Sequence, residues 1–313
     1  MKKFSNLLAT ATLAVCMGGG LSLLAVSCSN ASGGSSGGGG GSAGCVSVSA
    51  KSFDGTAITS SKVFIAGRTL AFKALYASDH EVTQGEYEAY CKYGGDSPDV
   101  SHGKGANYPA YNVNWYDAIV YCNLKSAADG LTPCYKLGGS NDTKSWADIV
   151  AEAGKYCGPS NDTAEWNAIT CDWNANGWRL PTEAEWEMLA RGGNLTNENQ
   201  TTYSGSDTID SVAWYQINSE GTTHEVKGKT KNSLDLYDMS GNVWEWCWDF
   251  YNTIESGTAW TGPTVASSGS LRVYRGGVYF EGDGNCEVSL RKAAVPNTRI
   301  DNRYGFRVVR NAN

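Results

Sequence analysis

Histidine is nearly missing from this 313-residue chain: only His80, His102 and His224 occur. Three scattered imidazoles thin the options for multi-histidine metal catalysis and for a histidine-based nucleophile triad. Basic residues are short as well, 25 Lys and Arg against 32 Asp and Glu, giving a net charge of −7. Phosphate backbones are held by an excess of cations, so this balance argues against a nucleic-acid partner. No C-x-x-C pair occurs among the 10 cysteines, and without it neither a zinc knuckle nor a thioredoxin-type couple is indicated. Past residue 45 no second linker interrupts the chain, so residues 45–313 are read as one domain. What the chain has in quantity is aromatic mass, 11 Trp and 17 Tyr. Such side chains fill a sizeable core, and the composition is not that of a disordered protein.

The first 27 residues read as a secretory signal. Lys2 and Lys3 supply a positive start, and an apolar stretch runs from Leu7 to Val26, interrupted by Gly18-Gly19-Gly20. A spanning helix needs about 20 strongly apolar residues, which the glycine triplet, Ser22 and Ser27 deny. The stretch ends Leu24-Ala25-Val26-Ser27-Cys28 and is similar to a bacterial lipobox, with Ala25 where a large aliphatic is usual. Cys28 is therefore the expected lipidation site. Acyl chains there would anchor the protein, each buried CH₂ contributing about 0.8 kcal/mol. Residues 28–44 form a Gly/Ser tether whose sixteen residues after Cys28 span about 20–24 Å. The expectation is an exported lipoprotein on the cell surface or outer membrane, meeting the membrane through its lipid only.

Eight cysteines remain in the body, enough for up to four disulfides, with pairing unassigned. Three helices are signalled. Thr83-Gln84-Gly85-Glu86 and Thr182-Glu183-Ala184-Glu185 are capping boxes, and Asn114 caps the run from Trp115 to Cys122. Gly192-Gly193 stops the last of them. Lys62–Ala66 reads as a strand. Ser140–Trp146 recurs as Ser160–Trp166, a duplicated loop rather than a solenoid. Elsewhere Gly, Asn and Asp recur every few residues, so short elements joined by irregular loops are expected.

Several phrases then fall in order: Glu81-Val82-Thr83-Gln84, Asn112–Ala118, Gly177–Glu187, Tyr237–Trp246, Arg275-Gly276-Gly277 and Gly305-Phe306-Arg307. Together they resemble the formylglycine-generating-enzyme (sulfatase-modifying factor) family across roughly residues 60–310. The resemblance implies an α+β, loop-rich domain of the C-type lectin type. Trp115, Trp178, Trp186, Trp244 and Trp246 then read as core, and Arg179, Arg275 and Arg307 as partners of Glu183, Glu185 or Glu245.

The same resemblance carries ligands over. A family calcium site implies side chains Asp238 and Glu245 with the carbonyls of Gly241 and Val243, so calcium is the expected structural ion. The family oxidase uses two cysteines, five apart, after Arg-Gly-Gly, as soft ligands for copper(I). Here Cys286 stands at the second position and Glu281 at the first. A hard carboxylate does not replace a thiolate in two-coordinate copper(I), so copper and catalysis are not expected. An oxidoreductase using Cys286 with altered ligands is the alternative. Other enzymes of this fold use a histidine-rich iron site on an added helical domain, which this chain lacks.

The segment from 271 to the end also resembles the variable region of lipoprotein targets of diversity-generating retroelements. Those proteins randomise template adenines, often in Asn codons. Asn285, Asn297 and Asn302 fit; Glu281, Glu287 and Lys292 do not arise from AAC or AAT. The implied ligand surface comprises Val278, Tyr279, Phe280, Asp283, Asn285, Leu290, Ala293, Ala294, Val295, Asn297, Ile300, Asp301 and Asn302. No sustained period marks the apolar members as one buried face. A monomer binding an external protein or glycan is expected.

Overall fold

The computed structural model describes residues 44–54, 69–94, 97–137, 146, 156–196, 199–252, 268–299 and 302–312. The signal, most of the tether, Lys62–Ala66, all of the first loop copy but Trp146, and Ile300 and Asp301 lie outside these residues.

The three signalled helices form because their first-turn N–H groups are met locally. Thr83, Asn114 and Thr182 each accept from the backbone three residues on, and Glu86, Asp117 and Glu185 return the bond. These helices are α1 (Gln84–Glu88), α2 (Trp115–Ala128) and, after the short α3 (Ala164–Asn167), α4 (Glu183–Ala190). Left-handed Gly192 and Gly193 follow α4, as expected. Buried residues cover most of α2 and all of α4, so these two are central rather than surface helices.

Among the described residues eleven short strands surround them. In the first half are β1 (Cys45–Val48), β2 (Lys51–Asp54), β3 (Thr69–Phe72), β4 (Leu75–Ser78), β5 (Tyr135–Lys136) and β6 (Thr170–Cys171). In the second are β7 (Trp244–Phe250), β8 (Arg272–Arg275), β9 (Lys292–Ala294), β10 (Tyr304–Gly305) and β11 (Val309–Asn311). One sheet runs β1-β4-β11, another β10-β7-β8-β9, and β2-β3 and β5-β6 are isolated pairs. The expected mixture of few short helices and strands is what the molecule has.

Regular structure is sparse, so large side chains carry the packing. Trp115, Trp178, Trp186, Trp244 and Trp246 are all fully buried. The Trp246 and Trp115 indoles donate to the carbonyls of Val113 (2.9 Å) and Cys247 (3.0 Å), so each large apolar body brings its polar edge satisfied. Charge is buried too, in matched pairs. Arg179 grips Glu185 at 2.7 and 2.8 Å. Arg307 grips Glu245 at 2.7 Å through two nitrogens. Arg275 meets Glu187, a partner the sequence reading did not name, with Glu183 3.7 Å from its Nε. Such pairs hold the fold in one arrangement, because losing either member strands a charge in the core. Of the body cysteines, Cys91 and Cys157 form a disulfide, while Cys122, Cys134, Cys171, Cys247 and Cys286 are free thiols. Cys45 is disulfide-bonded as well, so five of the eight body cysteines stay reduced.

Candidate functional site

Strand β8 ends at Arg275, and the chain turns through Gly276 (φ +100°) and Gly277 (φ +95°). A Cβ on Gly277 would lie 2.7 Å from the Cys286 sulfur and 2.9 Å from the Asn285 carbonyl oxygen. Only glycine lets the two ends of this loop approach so closely. The turn sends Val278 and Tyr279 inward, at 0% and 2% exposure. Both were expected on the ligand surface; they belong to the core instead. The missing period misled there, because the reversal comes from backbone geometry and not from an amphipathic pattern.

Beyond Tyr279 the chain runs along the outside. Phe280, Leu290 and Ala294 are half-buried against the core. Asp283 is exposed, Val295 is 42% exposed, and Asn285, Ala293, Asn297 and Asn302 are half-exposed. Ala293 and Ala294 lie in β9, the edge strand beside β8. Two neighbours that the sequence reading missed complete this face. Ile217, 77% exposed, follows Gln216, whose N–H donates to the Glu281 carbonyl at 3.1 Å. A lone Ile in a polar loop carries no signal for such a position.

The way this segment is held is specific. Arg275 donates to the carbonyls of Val288 (3.1 Å), Ser289 (3.0 Å) and Leu290. The Ser240 hydroxyl donates to the Cys286 carbonyl at 2.9 Å. The Trp115 N–H donates to the Pro296 carbonyl at 3.0 Å, and the Val288 N–H to the Thr202 carbonyl at 3.0 Å. Scaffold groups thus hold the segment by its main chain, and Arg291 on Glu183 and Arg299 on Asp117 add side-chain anchors. Backbone groups are common to every residue type, so the main-chain anchors do not depend on which side chains the segment carries.

Cys286 is fully buried beside Tyr203, Val212 and Tyr215. Burial, with Glu281 and Asp283 nearby, pushes its thiol up to about 12. A nucleophile or copper ligand has to be a thiolate, so this environment works against both roles. Glu281 is spent on Lys292, 2.8 Å away.

The carbonyl-bearing turn at Gly241 and Val243 leads into a buried carboxylate network. Both Glu245 oxygens face Arg307, and one also accepts from the Trp186 indole at 2.7 Å. Asp238 accepts from the Lys227 N–H at 2.7 Å, and burial raises its carboxyl to about 6. Glu81, absent from the expected ligand set, accepts from the Val243 N–H at 3.0 Å and from the Asn242 amide at 2.7 Å. Burial, then Asp238 and Glu245, hold Glu81 well above the usual range. Among the described residues no three Asp, Glu, His or Cys gather to hold a metal. The Arg307 guanidinium already supplies positive charge beside Glu245.

Residues 42–312 match the sulfatase-modifying factor enzyme 1-like domain, and the chain belongs to that family. The solved Treponema denticola variable protein 1 is 33% identical with a TM-score of 0.74, covering 86% of this chain and 95% of that one. Chaperone protein LppX of Paenibacillus barcinonensis is 32% identical over 277 residues, 82% of this chain and 87% of LppX. The formylglycine-generating enzyme of Streptomyces coelicolor is 32% identical over 165 residues, 47% of this chain. The match spans about half of that enzyme, 51% of its length.

Proposed function

We propose that this chain is an exported, lipid-anchored surface protein that binds an external protein or glycan through the outward side chains of 280–299 and Asn302, without chemistry. The observation that carries this reading is the main-chain anchoring of that segment by Arg275, Ser240 and Trp115. A loop held by its carbonyls tolerates side-chain exchange, and a rigid mounting lowers the ordering cost of binding. Likeness to a protein named as variable supports the same reading. Side chains kept inward, Val278 and Tyr279, belong to the mounting.

Cys28 carries the lipid in this proposal. No helix among the described residues is long and apolar enough to cross a membrane, and an acyl anchor does not require one. The domain acts as a monomer on its tether. Catalysis is absent because the one cysteine at the family position is a buried neutral thiol and its expected partner is Glu281.

Genomic sequence and one assay test this. A near-copy of the 3′ end differing mainly at adenines, beside a reverse-transcriptase gene, is the expected context. Purified protein given copper(I), oxygen and a cysteine peptide should leave the peptide a thiol. Aldehyde formation would return the chain to the oxidoreductases and end the binding-only account.

A further inference from the structure

Beside Asn302 the surface opens into a cavity of about 320 Å³, within the range of small-ligand sites. Its wall includes Asp99, His102, Tyr111, Asn112, Tyr156 and Asn302. Only Asn302 comes from the 280–302 segment; the rest belong to the family scaffold or to loops beside it. Among the described residues neither Lys nor Arg lines it. Asp99 is ionised, drawn down to about 2 by the Ser101 hydroxyl and by His102. Phosphate or carboxylate ligands would meet that charge, and the imidazole beside it, His102, is already engaged by Asp99 at 2.9 Å, so they fit poorly. The Asp99 carboxylate and the Asn112 and Asn302 carboxamides instead offer mixed donors and acceptors, which suits a polyhydroxylated ring.

The walls are fixed before any ligand arrives. Tyr156 sits against Gly94, where an added Cβ would lie 2.3 Å from its ring. The Arg299 guanidinium lies 3.9 Å from the ring centroid. Arg299 is held in turn by both Asp117 oxygens (2.8 and 2.7 Å) and by the Gly158 carbonyl (2.8 Å). The adjacent Cys157 is tied to Cys91. Asp99 and Tyr111 exchange two hydrogen bonds, 2.9 Å from the Asp99 N–H and 3.1 Å to its carbonyl. Hydrolysis is not what this site is arranged for. The Ser101 hydroxyl and the Asp99 carboxylate both lie on the same His102 nitrogen, Nδ1 (3.0 and 2.9 Å). A nucleophile relay needs them on opposite nitrogens.

We propose that this cavity is a binding site for one neutral sugar ring, the fixed part of a glycan-recognition surface whose changeable part is 280–302. The proposal rests on the binding function above and assigns it a ligand class. Saturation-transfer NMR on the intact domain tests it with free glucose, galactose, mannose and N-acetylglucosamine at millimolar concentration, where weak single-ring ligands register. At least one should receive saturation. Asp99→Ala and Asn302→Ala should each weaken that signal at least tenfold while melting as wild type, and Lys73→Ala, outside the cavity, should leave it intact. No transfer to any of the four, or transfer that survives both cavity variants, overturns the sugar site; so does an acidic or basic peptide that binds there instead. If sugars fail while a library at the exposed 280–302 positions still yields binders, only the cavity assignment falls.

Discussion

Glu245 receives three hydrogen bonds in a place water does not reach, two from Arg307 and one from Trp186. Asp238, nearby, feels the same guanidinium only at a distance, and burial lifts its carboxyl from 3.8 to about 6. A raised carboxyl binds a proton more tightly folded than unfolded. Its contribution is therefore fully present below about pH 4 and lost as pH rises through about 6. At neutral pH the ionised form costs up to ~3 kcal/mol, at 1.36 kcal/mol per pKa unit. Asp238→Asn keeps an acceptor for the Lys227 N–H and suits the left-handed φ of 57°. It should raise the melting temperature at pH 7, with the advantage gone by pH 4. Millimolar calcium or a chelator should leave the wild-type melting curve unmoved; a rise with calcium would restore the ion at this turn. At this scale the sequence was readable for gross roles. The five tryptophans are core, and Arg179, Arg275 and Arg307 each meet a carboxylate from the expected set, Arg275 meeting Glu183 at 3.7 Å. It was not readable for Glu81 or for the Arg275–Glu187 pair, since choosing among acids of one charge requires knowing which face of α4 meets β8.

Helix α4 and strand β8 are joined by that Arg275–Glu187 contact, and Arg275 then reaches on to three carbonyls of the outer segment. Arg275→Leu should therefore act twice. Removing one member of a buried pair costs about 3–5 kcal/mol, and the carbonyls from Val288 to Leu290 lose their donor. Hydrogen exchange should show residues 287–291 opening well before the rest of the domain; uniform loosening would mean Arg275 is only a core residue. The helices were legible because a capping box is a local device, complete within four residues. The sheets were not. Strand β4 pairs with β1 on one side and β11 on the other, joining Cys45 and Asn311 through one strand. The parallel pair of β10 with β7 links Tyr304 to Trp244. No local pattern encodes such distant partners, and two- to four-residue strands are too short to show a period.

Taken whole, the molecule divides into an interior fixed by aromatic packing and Arg–carboxylate pairs and an outer segment fixed by its main chain together with the Arg291–Glu183 and Arg299–Asp117 pairs. The division explains why Val278 and Tyr279, expected on the ligand surface, lie in the core: composition marks a loop as recognition-like, but only the glycine turn shows where the outside begins. The most direct test is a library randomised together at Asp283, Asn285, Val295, Asn297 and Asn302, with melting temperature and partner choice measured on the same clones. Surface changes are usually worth within about 0.5 kcal/mol each, and 1 kcal/mol moves a domain of this size by about 2–4 °C. The account predicts that most clones melt within a few degrees of the parent while selected clones bind different targets. Clones that unfold as often as Val278→Asp would, or folded clones that never gain a new target, would contradict it.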